Sequence, residues 1–281
     1  MQAREGRGVD GNPLPPGLHF DGKRTETDGM SQAEIKSQEE IALMREAGRI
    51  VCEILDELEK AVAPGITTWD LDVLSEKLIY EKGARPAFKG YQGFPSCLCA
   101  SINDEVVHGI PSRRRKLQEG DLMKLDFGVV YEGFFGDSAR TVPVGQVSPA
   151  ARSLMDATRE GLARGIKAMV PGNRIGDIGH AVQSYVESCG FSVVRLFTGH
   201  GIGRHLHEQP SVPNYGKPGS GMKLRAGMVL AVEPMVNQGT HEVRLLEDDW
   251  TAVTLDNKLS AHFEHTVLIT EGGPEILTRR R

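Results

Sequence analysis

The sequence predicts an α+β fold made of two related halves, and three observations predict it. The order helix, helix, strands occurs twice along the 281 residues. Landmarks in the two stretches keep a constant separation of 107 positions: Pro64 and Pro171, Gly65 and Gly172, Asp70 and Asp177, Leu71 and Ile178, Gly83 and Gly190. Helices followed by runs of strands, rather than alternating with them, argue against a βαβ architecture. One domain is expected over residues 34–281, with halves at about 38–144 and 148–270, after a flexible arm at 1–33.

The arm is read from composition. Residues 1 to about 30 are rich in Gly, Pro and charge, and such a segment cannot bury enough apolar surface to offset its ordering entropy. Pro13-Leu14-Pro15-Pro16 fits a PxxP docking pattern, although a plain linker is the stronger reading. Met30 stands where organised sequence begins and is a candidate natural start.

Ser37-Gln38-Glu39-Glu40 is a capping box in front of an apolar run at helical spacing: Ile41, Met44, Ile50, Val51, Ile54, Leu55 and Leu58. Pro64-Gly65 stops that helix. A second helix starts near Thr67 or Thr68 and ends by Gly83. In the second half Ser148 caps a helix with Pro149 at its first position, and Pro171-Gly172 ends it. The next helix runs from near Asp177 to Gly190. Strands are expected over Leu122–Val130 and Phe134–Val144, joined by a turn at 131–133, and over Met228–Val236 and His262–Thr270. Gly199-His200-Gly201 is too rich in glycine for regular structure and reads as a strand end or bend.

Bulk properties exclude several classes. The net charge of −5 and pI near 6.0 do not support a broad nucleic-acid footprint. The basic runs Arg113–Lys116 and Arg279–Arg281 read as a solvated loop and a charged tail. There is no long apolar run for a membrane span and no signal-peptide core. Cys52, Cys97, Cys99 and Cys189 do not form zinc-finger spacing, so reduced thiols in the cytoplasm are expected.

The chemistry starts from carboxylates in awkward places. Asp is depleted in strands, yet Asp126 stands between Leu125 and Phe127, and Asp137 stands in GFFGDS. A turn at 131–133 puts the two opposite each other, or within one residue of it, on paired strands. Two half-buried like charges repel unless one is protonated or a cation lies between them. Glu233 in VLAVEP and Glu264 in AHFEHT are likewise charges inside apolar strands, and isolated buried charges are expensive. His200, flanked by glycines, can approach a ligand closely. For any one of these five a structural role is a fair alternative; for all five it is not. Four carboxylates and an imidazole favour Mn²⁺, Fe²⁺, Co²⁺ or Zn²⁺ over a structural zinc. Bridging carboxylates suit two ions about 3.5–4 Å apart. His108, His205 and His207 read on chemistry alone as surface or packed histidines.

The segments NDEVVHGIP, LDFGVVYEGFFGDSART, TGHGIGRHLHEQP, AVEPMVNQG and SAHFEHT resemble, in order and spacing, the motif series of type I methionine aminopeptidases. The resemblance covers about residues 34–278. It implies the pita-bread fold: two pseudo-symmetric halves, with a curved, mainly antiparallel sheet flanked by helices around a central dinuclear metal site. It places Asp126, Asp137, His200, Glu233 and Glu264 on the metal ligands, with Glu233 also the base. It places His108 and His207 on the catalytic, substrate-contacting histidines, and Tyr91, Phe94, Cys99, Leu206 and Trp250 on the methionine pocket. Phe94 stands where the family often has Tyr, Leu206 where Phe is frequent, and Thr198 where Cys is frequent. The implied activity is removal of the initiator Met from nascent polypeptides with a small second residue, near the ribosome, by a monomer that uses two divalent ions (cobalt, manganese, iron(II) or zinc). An Xaa-Pro aminopeptidase or dipeptidase of the same fold and a non-catalytic adapter are the competing readings.

Overall fold

The computed structural model describes residues 33–279. Of the arm expected over 1–33, residues 1–32, with the PxxP segment and Met30, lie outside the described residues, as do the last two arginines of the tail. Ala33 is buried against the second of the cores described below.

In the first half, α1 (Gln38–Ala61) begins with both bonds of the capping box, Glu40 N–H to Ser37 Oγ and Ser37 N–H to Glu40 Oε2. Its buried stripe, including Met44, Val51, Leu55 and Leu58, packs across the long hairpin described next. Each fully buried Leu or Ile contributes roughly 1.5–3 kcal/mol. α2 (Thr68–Glu81) is capped in the same way by Thr67 and Asp70. Five strands follow: β1 (Arg85–Pro86), β2 (Cys99–Ile102), β3 (Glu105–Val107), β4 (Leu122–Tyr131) and β5 (Phe134–Pro143).

The β4–β5 turn corrects the expected register. It has two residues, not three: Glu132 at φ 48° and Gly133 at φ 82°, both left-handed, as the tight turns that match strand twist require. Tyr131 therefore pairs with Phe134, Asp126 faces Ala139, and Asp137 faces Gly128. The two aspartates are two ladder positions apart rather than opposite or one off. A shift of two keeps the face of the sheet, so both carboxylates still point the same way.

The second half repeats the plan. α3 (Pro149–Lys167) is capped by Ser148, and α4 (Ile175–Ser188) starts two residues earlier than expected, with Asp177 accepting from Arg174 N–H at 2.7 Å. Asp70 accepts from Thr67 N–H at 2.9 Å in the same role. α2 and α4 are thus 107 positions apart at both ends. The offset persists in the backbone. Gly65 N–H bonds Leu117 O and Gly172 N–H bonds Leu224 O. Thr67 bridges Lys116, and Arg174 bridges Lys223. One core lies mainly in the first half and a second mainly in the other.

The remaining strands are β6 (Ser192–Val193), β7 (Gly199–Gly201), β8 (Glu208–Val212), β9 (Val229–Val232), β10 (Met235–Asn237), β11 (Val243–Leu245), β12 (Ala252–Thr254), β13 (Ser260–His262), β14 (His265–Thr270) and β15 (Gly273–Ile276). Three expectations change here. Met228–Val236 is broken at Glu233-Pro234 into β9 and β10, and His262–Thr270 is broken at Phe263-Glu264 into β13 and β14. β9 and β14 belong to one sheet, β10 and β13 to another. Pro234 brings no N–H to a ladder, so the strand switches sheets there. Gly199–Gly201, expected as a strand end or bend without regular structure, is a short paired strand with a register shift after His200. A side chain on Gly199 would overlap the Ala231 carbonyl of β9, so glycine permits the close pairing. Among the described residues the pairs are all antiparallel, in sheets of four, three, three and five strands. The architecture is the α+β, two-halved pita-bread arrangement.

Candidate metal centre and substrate cleft

Asp126 and Asp137 project from the middle of β4 and β5. Glu233 and Glu264 occupy the two strand breaks, where a residue is released from the ladder and can aim its carboxylate inward. A polar seam fixes the second break against β5. Glu264 N–H donates to Ala139 O at 2.9 Å, and Ser138 Oγ donates to Glu264 O at 2.6 Å. Thr266 Oγ1 donates to Asp137 O at 2.8 Å. Glu233 is held by Asn214 Nδ2, which donates to its backbone carbonyl at 3.0 Å.

Ligand-type atoms of Asp137, His200 and Glu264 all lie within 4.8 Å of one another. Glu233 Oε1 is 3.5 Å from His200 Nε2. Asp126, outside the tight trio, lines the same cleft. His200 Nδ1 bonds the Gly201 carbonyl at 2.9 Å. A carbonyl only accepts, so Nδ1 carries the proton and Nε2 keeps the lone pair that a metal takes. Burial lowers the pKa of this ring to about 3, so it stays neutral.

The carboxyl groups are under the opposite pressure. Burial raises Asp137 to about 7, against the pull of the Ser138 N–H. Burial and then Asp137 hold Asp126 well above the usual range. Burial, then Asp126 and Asp137, do the same to Glu233. Glu264 is raised by burial, then by Asp137, Glu233 and Asp126. Asp137 Oδ1 and Glu264 Oε1 are buried and have no hydrogen-bond partner among the described residues. Converging acceptors without donors fit divalent cations, whose charge inverts this repulsion. The donor set fits such ions on this structure's own terms.

The cleft, about 600 Å³ with its open mouth, is lined by all twelve residues singled out from the sequence. His108, in a left-handed conformation at φ 61°, follows β3 and stacks edge-on against Phe197 and Trp250. His207 meets the His200 ring at 4.4 Å between centroids, and its Nδ1 is 2.8 Å from the Tyr91 hydroxyl. Phe94 and Trp250 pack edge to face at 5.1 Å beside buried Leu206 and Cys99. Cys99 pairs with Asp126 across β2 and β4. His205 is exposed and outside the lining, as read from the sequence.

Three residues were missed. Phe88 and Gln92 also line the cleft. The glycines at 90 and 93 bracket the tight loop that presents Tyr91 and Gln92, and they were the available signal. His262 is buried with its Nε2 3.7 Å from Glu233 Oε2. It shares with Glu264 the signature of a polar residue in an apolar run, which singled out only the glutamate.

Fold and site define a metallopeptidase: the chain belongs to metallopeptidase family M24, whose model matches residues 42–271. It is similar to the methionine aminopeptidase of Clostridium acetobutylicum, 54% identical over 244 residues that cover 87% of this chain and 98% of that one. It is also similar to the crystal structure of methionine aminopeptidase from Thermotoga maritima, at a TM-score of 0.87 and 48% identity, covering 89% of this chain and 100% of that one. The prolidase from Pyrococcus furiosus shares the fold at a TM-score of 0.72 and 24% identity, with 88% of this chain covering 66% of that one.

Proposed function

We propose that this chain removes the N-terminal methionine from polypeptides with a small second residue. The observation that carries the reading is the convergence, in one cleft, of five ligand-type residues, two histidines and an apolar recess. The close relatives, which carry the name methionine aminopeptidase, support it.

Asp126, Asp137, His200, Glu233 and Glu264 would hold two divalent ions. Cobalt, manganese, iron(II) and zinc all suit carboxylate and imidazole donors. Such ions, when bound, supply Lewis acidity that polarises the scissile carbonyl and lowers the pKa of water. Glu233, its neighbours then neutralised, ionises and takes a proton from the attacking water, then passes it to the leaving amine. His108 and His207 donate hydrogen bonds to the carbonyl oxygen as charge builds on it. The recess of Tyr91, Phe94, Cys99, Leu206 and Trp250 takes the methionine side chain, whose thioether packs well on aromatic edges. The substrates are nascent chains near the ribosome, the chain acts as a monomer, and the setting is the cytoplasm. The thiols described as free support that setting, and no helix among the described residues is long and apolar enough to cross a membrane.

The test is cleavage of Met-Ala-Ser against an Xaa-Pro peptide, after chelation and re-addition of single metals. Metal-dependent release of Met, with the Xaa-Pro peptide left intact, is expected. Preference for the Xaa-Pro peptide would assign the prolidase-type activity, and no cleavage with any metal would make the chain an adapter.

A further inference from the structure

Lys124 is among the largest fully buried side chains, 1% exposed, and it lies outside the cleft. Burying a lysine demands partners for its ammonium. It has two: the ammonium donates to the carbonyls of Asn103 and Ser260, each at 2.9 Å. These acceptors come from parts of the chain that share no sheet. Lys124 sits in β4, Asn103 in the turn between β2 and β3, and Ser260 starts β13. β4 and β2 belong to the four-stranded sheet, β3 to one three-stranded sheet and β13 to the other. The join is built up around the ammonium. Ser260 N–H also donates to Asn103 O, at 2.9 Å. Asn103 is left-handed at φ 53°, and its Oδ1 accepts from Leu122 N–H at the start of β4.

The elements that meet here carry the site. Two residues along β4 from Lys124 is Asp126, and β3 runs from this turn into His108. β13 runs from Ser260 to His262, and Glu264 follows in the break. We propose that the Lys124 amino group is a positioning group: an internal N–H donor that clasps three sheets at one point and sets where His108 and Glu264 stand relative to Asp126. Burial lowers the amine to about 7, and either protonation state carries the two N–H groups that the two carbonyls accept from. An apolar side chain of the same length would fill the space but leave both carbonyls without that donor. The inference rests on the proposed function only for its activity arm.

The test uses the full chain. Lys124→Met keeps the stem and removes the ammonium. Losing a group that orients a site through other residues costs about 10–100-fold in metal affinity or activity, so kcat on Met-Ala-Ser should fall at least about tenfold. Calorimetric affinity of the metal-free protein for Mn²⁺ should weaken by a comparable factor, and the Ser260 amide should exchange faster with deuterium. In Lys124→Gly, added propylammonium should restore part of the Mn²⁺ affinity, while tetramethylammonium, which has no N–H to donate, should not. A folded Lys124→Met protein with kcat, Mn²⁺ affinity and Ser260 exchange all within about twofold of wild type overturns the proposal. A lower melting temperature with kcat and affinity unchanged also overturns it, by assigning Lys124 to stability alone. Should Lys124→Met fail to fold, Lys124→Gly decides: no recovery of fold or Mn²⁺ affinity with propylammonium overturns it. The Mn²⁺ and exchange arms use no peptide, so they stand even if the wild-type chain does not cleave Met-Ala-Ser.

Discussion

The hydroxyl of Tyr91 lies 2.8 Å from Nδ1 of His207, and the two rings meet edge to face at 5.3 Å. On the proposed function, Tyr91 is therefore more than a wall of the recess. When the phenol donates to Nδ1, a neutral His207 must carry its proton on Nε2, the nitrogen left to donate to substrate. Tyr91→Phe keeps the ring and removes the donor. Net hydrogen bonds of this kind are worth about 0.5–1.5 kcal/mol, so kcat should fall about 3–10-fold with KM for a Met-peptide nearly unchanged. Steady-state kinetics on Met-Ala-Ser check this; an unchanged kcat would reduce Tyr91 to a wall.

His207→Ala removes the proposed donor itself. A lost oxyanion donor costs about 10²–10³ in rate, so turnover should fall by that order while the protein still binds its full complement of metal. Metal content by elemental analysis beside kcat checks both halves. Lost metal would mean that His207 supports His200, whose ring it touches at 4.4 Å, rather than the substrate.

The legible part of the site was the part written as local contradiction. Asp126, Asp137, Glu233 and Glu264 are charges inside apolar runs, and that mismatch is visible in one dimension. The start of α1 was legible because its cap is local, Ser37 with Glu40, whereas Asp177 marks the third residue of α4 and not its first. Register was not. The β4–β5 turn uses Glu132 in a left-handed conformation, which Asn or Asp would have announced and Glu does not. The strand breaks at 233–234 and 263–264 were also hidden, because the apolar residues continue on both sides while the strand changes sheet. The role of Lys124 is hidden in one dimension for a similar reason: its acceptors are backbone carbonyls 21 and 136 positions away.

Cysteine chemistry separates the four thiols. Cys52, Cys97 and Cys99 are buried and Cys189 is exposed. Burial, with Asp72 and Glu76 nearby, pushes Cys97 up to about 12, so its thiolate is scarce at neutral pH. One equivalent of thiol should react rapidly with a disulfide reagent in the native protein, and three more only on denaturation. Cys189→Ser should abolish the fast equivalent. A fast thiol remaining in that variant would mean that one of the other three is reached without unfolding.

Asp137 gives a pH-dependent test of the metal centre. Its carboxyl is raised from an unperturbed 3.8 to about 7 by burial. With the folded pKa above the unfolded one, the folded state holds the extra proton between those values, so stability falls as pH rises through the window. In metal-free protein, Asp137→Asn removes this liability. Its melting temperature relative to wild type should therefore climb between about pH 5 and pH 8, by roughly 2–4 °C for each kcal/mol recovered in a chain of this size. Taking the difference between the two proteins cancels the buried histidines, and the relief of Asp126, Glu233 and Glu264, each raised in part by Asp137, adds in the same direction. With saturating Mn²⁺ the order should reverse, because wild type gains stability from binding and Asp137→Asn lacks a proposed ligand. Scanning calorimetry at the two pH values, with and without Mn²⁺, reads all four cases. A difference that stays flat with pH would mean that Asp137 is ionised in the metal-free fold, and the crowding of carboxylates around it would then need another source of compensation.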